Sequence, residues 1–86
     1  MITKDIVVRC ESGLHNNQAT YFVQKANEFA SNIYLEAQNR RMNAKSLLGI
    51  MSLGIVTGET VTLTADGSDA EAAIAALEAL FQRDVY

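Results

Sequence analysis

Residues 60–81 read Thr-Val-Thr-Leu-Thr-Ala-Asp-Gly-Ser-Asp-Ala-Glu-Ala-Ala-Ile-Ala-Ala-Leu-Glu-Ala-Leu-Phe. From Thr60 to Ala65 the period is two, which turns Val61, Leu63 and Ala65 to one face of a strand and three threonines to the other. Gly67 breaks that pattern. Beyond it Ala70, Ala73, Ile74, Leu77, Leu80 and Phe81 recur at three- and four-residue steps, the apolar stripe of a helix, and Ser68 with Glu71 has the spacing of a capping box. A half-buried strand followed by an amphipathic helix calls for a sheet with helices packed against it.

The upstream chain repeats the alternation of periods. Ile2, Lys4, Ile6, Val8 and Cys10 alternate with Thr3, Asp5, Val7 and Arg9, predicting a strand that ends near Glu11-Ser12-Gly13. Ala19, Phe22, Val23, Ala26 and Phe29 then share one helical face. Ile33, Leu35 and Ala37 form a second strand, and Gln38-Asn39-Arg40 suggests a tight return into a short strand over Arg41 to Asn43. Ser46 is placed to cap a brief helix containing Leu47, Leu48, Gly49, Ile50 and Met51. The order strand, helix, strand, strand, helix, strand, helix predicts an α+β fold with the helices on one face of a mostly antiparallel sheet.

With 86 residues, 49% of them hydrophobic and 20% charged, the chain suits one compact domain over residues 1–86. At this size folding buries roughly 60–65% of the unfolded surface, enough for one core. A net charge of −3, with scattered cations, removes the electrostatic basis for direct nucleic-acid binding. Cys10 is the only cysteine, so no internal disulfide and no cysteine-rich zinc site is expected. No apolar run approaches the roughly 20 residues of a membrane span, and the first ten residues lack the apolar stretch of a signal peptide. We therefore expect a cytoplasmic protein with no membrane insertion, no metal and no cofactor.

The single histidine, His15, follows Gly13-Leu14 at the mouth of the first predicted helix. A helix start presents unpaired N–H groups and a positive partial charge, so a phosphoryl group on His15 would gain hydrogen bonds and a favourable dipole there. With an ordinary pKa near 6.5, imidazole keeps a neutral nucleophilic nitrogen at neutral pH. On location alone, a lone histidine at a helix mouth is read first as a helix cap or a loop-ordering residue. Cys10 falls on the apolar side of its strand and reads as a core residue rather than a nucleophile. Ser46 repeats the helix-start logic at the second helix. The apolar run after it exceeds what one short face can bury, so part of it should reach the surface.

Gly13-Leu14-His15, Asn43-Ala44-Lys45-Ser46, the run from Leu47 to Gly54 and the acidic C-terminal helix closely resemble HPr, the histidine-containing phosphocarrier of the bacterial phosphoenolpyruvate:sugar phosphotransferase system. The resemblance spans essentially the whole chain. It implies an open-faced β-sandwich of four antiparallel strands with three helices, and a carrier rather than an enzyme. It further implies that His15 takes a phosphoryl group from enzyme I and passes it to enzyme IIA. By the same resemblance Ser46 is the target of a dedicated HPr kinase and a switch for binding a catabolite-control transcription factor. Thr20, Gln24, Leu47, Leu48 and Met51 are then expected to face partners.

The family's usual run is Gly-Leu-His-Ala-Arg-Pro. Here Asn16, Asn17 and Gln18 replace its last three residues, so they are the expected side chains of the phosphate cradle, with Asn17 an amide in place of a guanidinium. Two other readings accompany the carrier: a regulatory binding module switched at Ser46, and a protein of this fold adapted to a partner that requires the altered loop.

Overall fold

The computed structural model describes residues 1–11, 13, 14 and 16–83, with Asn16 through its backbone only. The elements are β1 (Ile2–Val7), α1 (Asn16–Ala26), β2 (Asn32–Ala37), β3 (Arg40–Asn43), α2 (Leu47–Ser52), β4 (Thr60–Asp66) and α3 (Ala70–Leu80). The strands form one antiparallel sheet in the order β1-β4-β2-β3. Its two central strands are the two with the clearest alternation, as expected where one face must be apolar.

Val61, Leu63 and Ala65 of β4 are buried beside Ile33 and Leu35 of β2, and the stripes of all three helices enter the same core. Phe22 of α1 meets Phe81, just past α3, with ring centroids 5.3 Å apart and planes tilted by 55°, a favourable offset for two quadrupoles. The opposite sheet face is polar: Thr62 Oγ1 donates to Asp5 Oδ1 at 2.7 Å, and the Arg41 guanidinium lies 4.1 Å from the Tyr34 ring centroid. The β2–β3 return is a two-residue loop in which Gln38 and Asn39 both have positive φ, 56° and 62°. That left-handed pair matches the twist of the flanking strands.

Three details depart from the sequence reading. β1 pairs only to Val7, because beyond it the chain leaves β4 for the end of α3: the N–H groups of Arg9 and Cys10 both donate to the Phe81 carbonyl, at 2.7 and 2.9 Å. Val8 and Cys10 are still buried, so the alternation outlasts the ladder. Phe29 lies beyond α1, whose last turn is closed by Asn27 Nδ2 donating to the Val23 carbonyl at 2.8 Å.

Ser68 and Glu71 do not cap α3; its N-cap is Asp69, whose side chain makes no capping bond. The Asp69 carboxylate instead accepts from the backbone N–H groups of Ala30 and Ser31, at 2.8 and 2.9 Å, and from the Ser31 hydroxyl. The Ser31 hydroxyl first, then the Ala30 N–H, hold its carboxyl below the usual carboxylate range by bonding the charged form. Gly67 permits the close approach, since a Cβ there would sit 2.7 Å from Ser31 Cα.

Candidate functional site

The path from β1 into α1 is set by Gly13. Its φ of +60° is a conformation that side chains disfavour, and a Cβ would collide with the Ile55 carbonyl and come within 2.9 Å of Val56 Cα. Gly13 N–H donates to the Cys10 carbonyl at 3.0 Å, and Leu14 N–H to the Ile55 carbonyl at 3.0 Å, while the Leu14 side chain is buried. The Cys10 thiol is buried as well and contacts the Gly13 carbonyl at 3.4 Å. The chain thus reaches α1 along an anchored route, and no acidic residue stands in the helix's first turn to oppose an anion.

His15, the expected phosphoryl acceptor, lies outside the described residues, as does the side chain of Asn16. Asn17 is exposed on the first turn. Gln18 corrects the expectation of a cradle side chain. It is 3% exposed, and its Nε2 donates to the Leu80 carbonyl at 2.8 Å. On the first turn of α1 this position faces the core. Among the described residues no three histidine, cysteine, aspartate or glutamate side chains gather as a metal ion would require.

Ser46 is the N-cap of α2, with extended backbone (φ −104°, ψ 113°) and its hydroxyl accepting from Gly49 N–H at 3.1 Å. The preceding turn is ordered by Asn43, whose side-chain oxygen accepts from Lys45 N–H at 2.8 Å. Within α2 the apolar run divides as its length required. Ile50 and, just beyond, Leu53 are buried, whereas Leu47, Leu48 and Met51 are 38%, 83% and 45% exposed. α1 packs against α2 and carries Thr20, half-buried, and Gln24, exposed.

One residue that sequence reasoning missed is Arg40. From β3 it donates to the Ser52 carbonyl at 2.9 Å and to the Ser52 hydroxyl at 3.2 Å, closing the C-terminal end of α2. A basic residue within α2 itself would have signalled such a clamp, but this one comes from another element.

The family model described as "PTS HPr component phosphorylation site" matches residues 2–83. The chain belongs to the HPr family. It is 42% identical over 85 residues to the HPr-like protein Crh of Bacillus subtilis, covering 99% of this chain and all of that one. The HPr-like protein Crh of Halalkalibacterium halodurans is 40% identical over 84 residues, covering 98% of this chain and all of that protein. The crystal structure of the phosphocarrier protein HPr from Bacillus anthracis superposes with a TM-score of 0.92 at 46% identity, over 94% of this chain and 96% of that one. Members of the HPr family are phosphoryl carriers rather than enzymes, and the four-stranded antiparallel sheet with three helices is the family's fold.

Proposed function

We propose that this chain is an HPr-type phosphoryl carrier that receives a phosphoryl group from enzyme I on a nitrogen of His15 and gives it up to enzyme IIA. The N–P bond to His15 forms as the bond from phosphorus to the donor breaks, and transfer onward reverses the exchange. The observation that carries this reading is the anchored Gly13-Leu14 route into a helix whose first turn holds no acidic residue. The amides of a helix's first turn can bond phosphoryl oxygens, and in this reading Asn17 offers a side-chain amide to the same group. Thr20, Gln24, Leu47, Leu48 and Met51 form the partner-facing surface. In this reading the protein works in the cytoplasm, where those partners act.

Loss of the family's arginine weakens the cradle. A hydrogen bond to a charged group contributes about 1.5–3 kcal/mol, so Asn17 in its place lowers phosphate stabilisation or transfer by about ten- to a hundredfold. Incubation with enzyme I and labelled phosphoenolpyruvate tests the proposal. Acid-labile label should appear and be abolished by His15→Ala, and Asn17→Arg should accelerate it; an unlabelled wild-type protein would remove the carrier reading.

A second reading, regulation through Ser46, is supported by the two Crh relatives and by the exposed serine at the head of α2. A phosphate on a helix N-cap gains from the dipole, and it would sit beside the exposed Leu47 and Leu48. HPr kinase and ATP should yield acid-stable label that Ser46→Ala eliminates, together with binding of a catabolite-control transcription factor by the labelled form only.

A further inference from the structure

The segment between β1 and α1 hangs at both ends on the last turn of α3. On the incoming side, Arg9 and Cys10 donate their N–H groups to the Phe81 carbonyl; on the outgoing side, Gln18 Nε2 donates to the Leu80 carbonyl at 2.8 Å and lies 3.4 Å from that of Arg83. The Leu80 and Phe81 acceptors lie at the C-terminal end of a helix, where carbonyls lack intrahelical partners and carry negative partial charge. Gln18 is one of only two buried polar side chains among the described residues. A buried amide persists only where its donors are satisfied, so this one is specified by the acceptors it meets.

At this position the family's usual run has proline, which presets φ near −65° and orders a helix start without any tertiary partner. Glutamine has no such stiffness. We propose that Gln18 is a positioning residue: its amide latches the first turn of α1 to the C-terminal turn of α3, achieving by a tertiary hydrogen bond what proline achieves by ring geometry. The proposal rests on the carrier reading, because the turn being held is the one whose amides would receive the phosphoryl oxygens. It makes the end of α3 a support for that site, although no residue of α3 need touch phosphate.

Gln18→Met tests it by preserving length and apolar contact while deleting both N–H donors. The initial rate of His15 labelling by phosphorylated enzyme I should fall about tenfold, as expected for a small misplacement of cradle groups. Gln18→Pro also lacks the donors and should stay thermally less stable than the wild type, yet it should recover the labelling rate by stiffening the turn. Asp69→Asn, which loosens the opposite end of α3, should lower the unfolding temperature and leave the rate unchanged. An unchanged rate in Gln18→Met, or an equal loss in all three variants, would overturn the latch.

The ring resonances of His15 give a second readout that needs no phosphoryl transfer. They should move in Gln18→Met and return in Gln18→Pro; coincidence of Gln18→Met with wild type would overturn the proposal. If the wild-type protein takes no label, the carrier reading fails while these resonances still decide the latch. In the unaltered protein, scalar coupling across the bond from Gln18 Nε2 to the Leu80 carbonyl carbon should be measurable, and its absence would sink the proposal whether or not the variants fold.

Discussion

The heads of α2 and α3 use the same kind of residue for opposite ends. Ser46 turns its hydroxyl inward along its own helix to Gly49 N–H, and the six-residue helix that follows leaves Leu47, Leu48 and Met51 at the surface. Asp69 makes no bond to its own helix; its carboxylate ties down Ala30 and Ser31, 38 or more positions away in the chain, while the stripe of α3 is buried from Ala70 to Leu80. α2 is a self-capped, outward-facing element and α3 is a strut. Exposed apolar surface and fold stability are therefore carried largely by different helices.

Substitutions that separate stability from partner contact can break this contrast. The largest stability effect belongs to Leu77→Ala in α3, whose side chain is fully buried; chemical denaturation should show a loss of about 2–5 kcal/mol. Asp69→Asn should come next, with a distinctive pH signature. Because the folded-state pKa of Asp69 is depressed, its contribution is fully present above the ordinary carboxylate range and is lost as pH falls through the folded value. Unfolding temperatures measured from pH 6 down to pH 2 should thus drop in the wild type by more than in Asp69→Asn.

Ser46→Ala removes a cap and should cost about 1 kcal/mol, read by the same denaturation, while abolishing kinase-dependent label. Leu48→Ala sharpens the contrast most. At 83% exposure it should alter stability by no more than about 0.5 kcal/mol, yet weaken binding of enzyme I or the transcription factor measured by calorimetry. If Leu48→Ala destabilises as Leu77→Ala does, the division of labour between the helices is wrong.

The periodicity of residues 60–81 was enough to place β4 and α3, because burial of one sheet face and one helix stripe leaves an arithmetic trace in the chain. The tight return at Gln38-Asn39 was legible from the polar break between two runs, and Asn39 is of a type that tolerates a positive φ. The Ser68–Glu71 box was misleading: spacing shows which side chains are within reach of a helix end, not which competitors they face, and Asp69 with its distant partners took the cap position. Gln18 was misplaced by the same limitation. It stands next to Asn16 and Asn17 in the chain, but a turn of helix advances by about 100° per residue and carries it to the core.

The order of elements, the apolar faces of sheet and helices, the partial exposure of α2 and the family resemblance were all determined by the sequence alone, since each depends on residue type and local spacing. Only the tertiary structure decided that Asp69 binds Ser31, that Arg40 closes α2, and that the carbonyls ending α3 hold both sides of the segment leading into α1. Those contacts join residues far apart in the chain, and a polar side chain's partner is chosen by which unsatisfied donor or acceptor the folded backbone brings within about 3 Å.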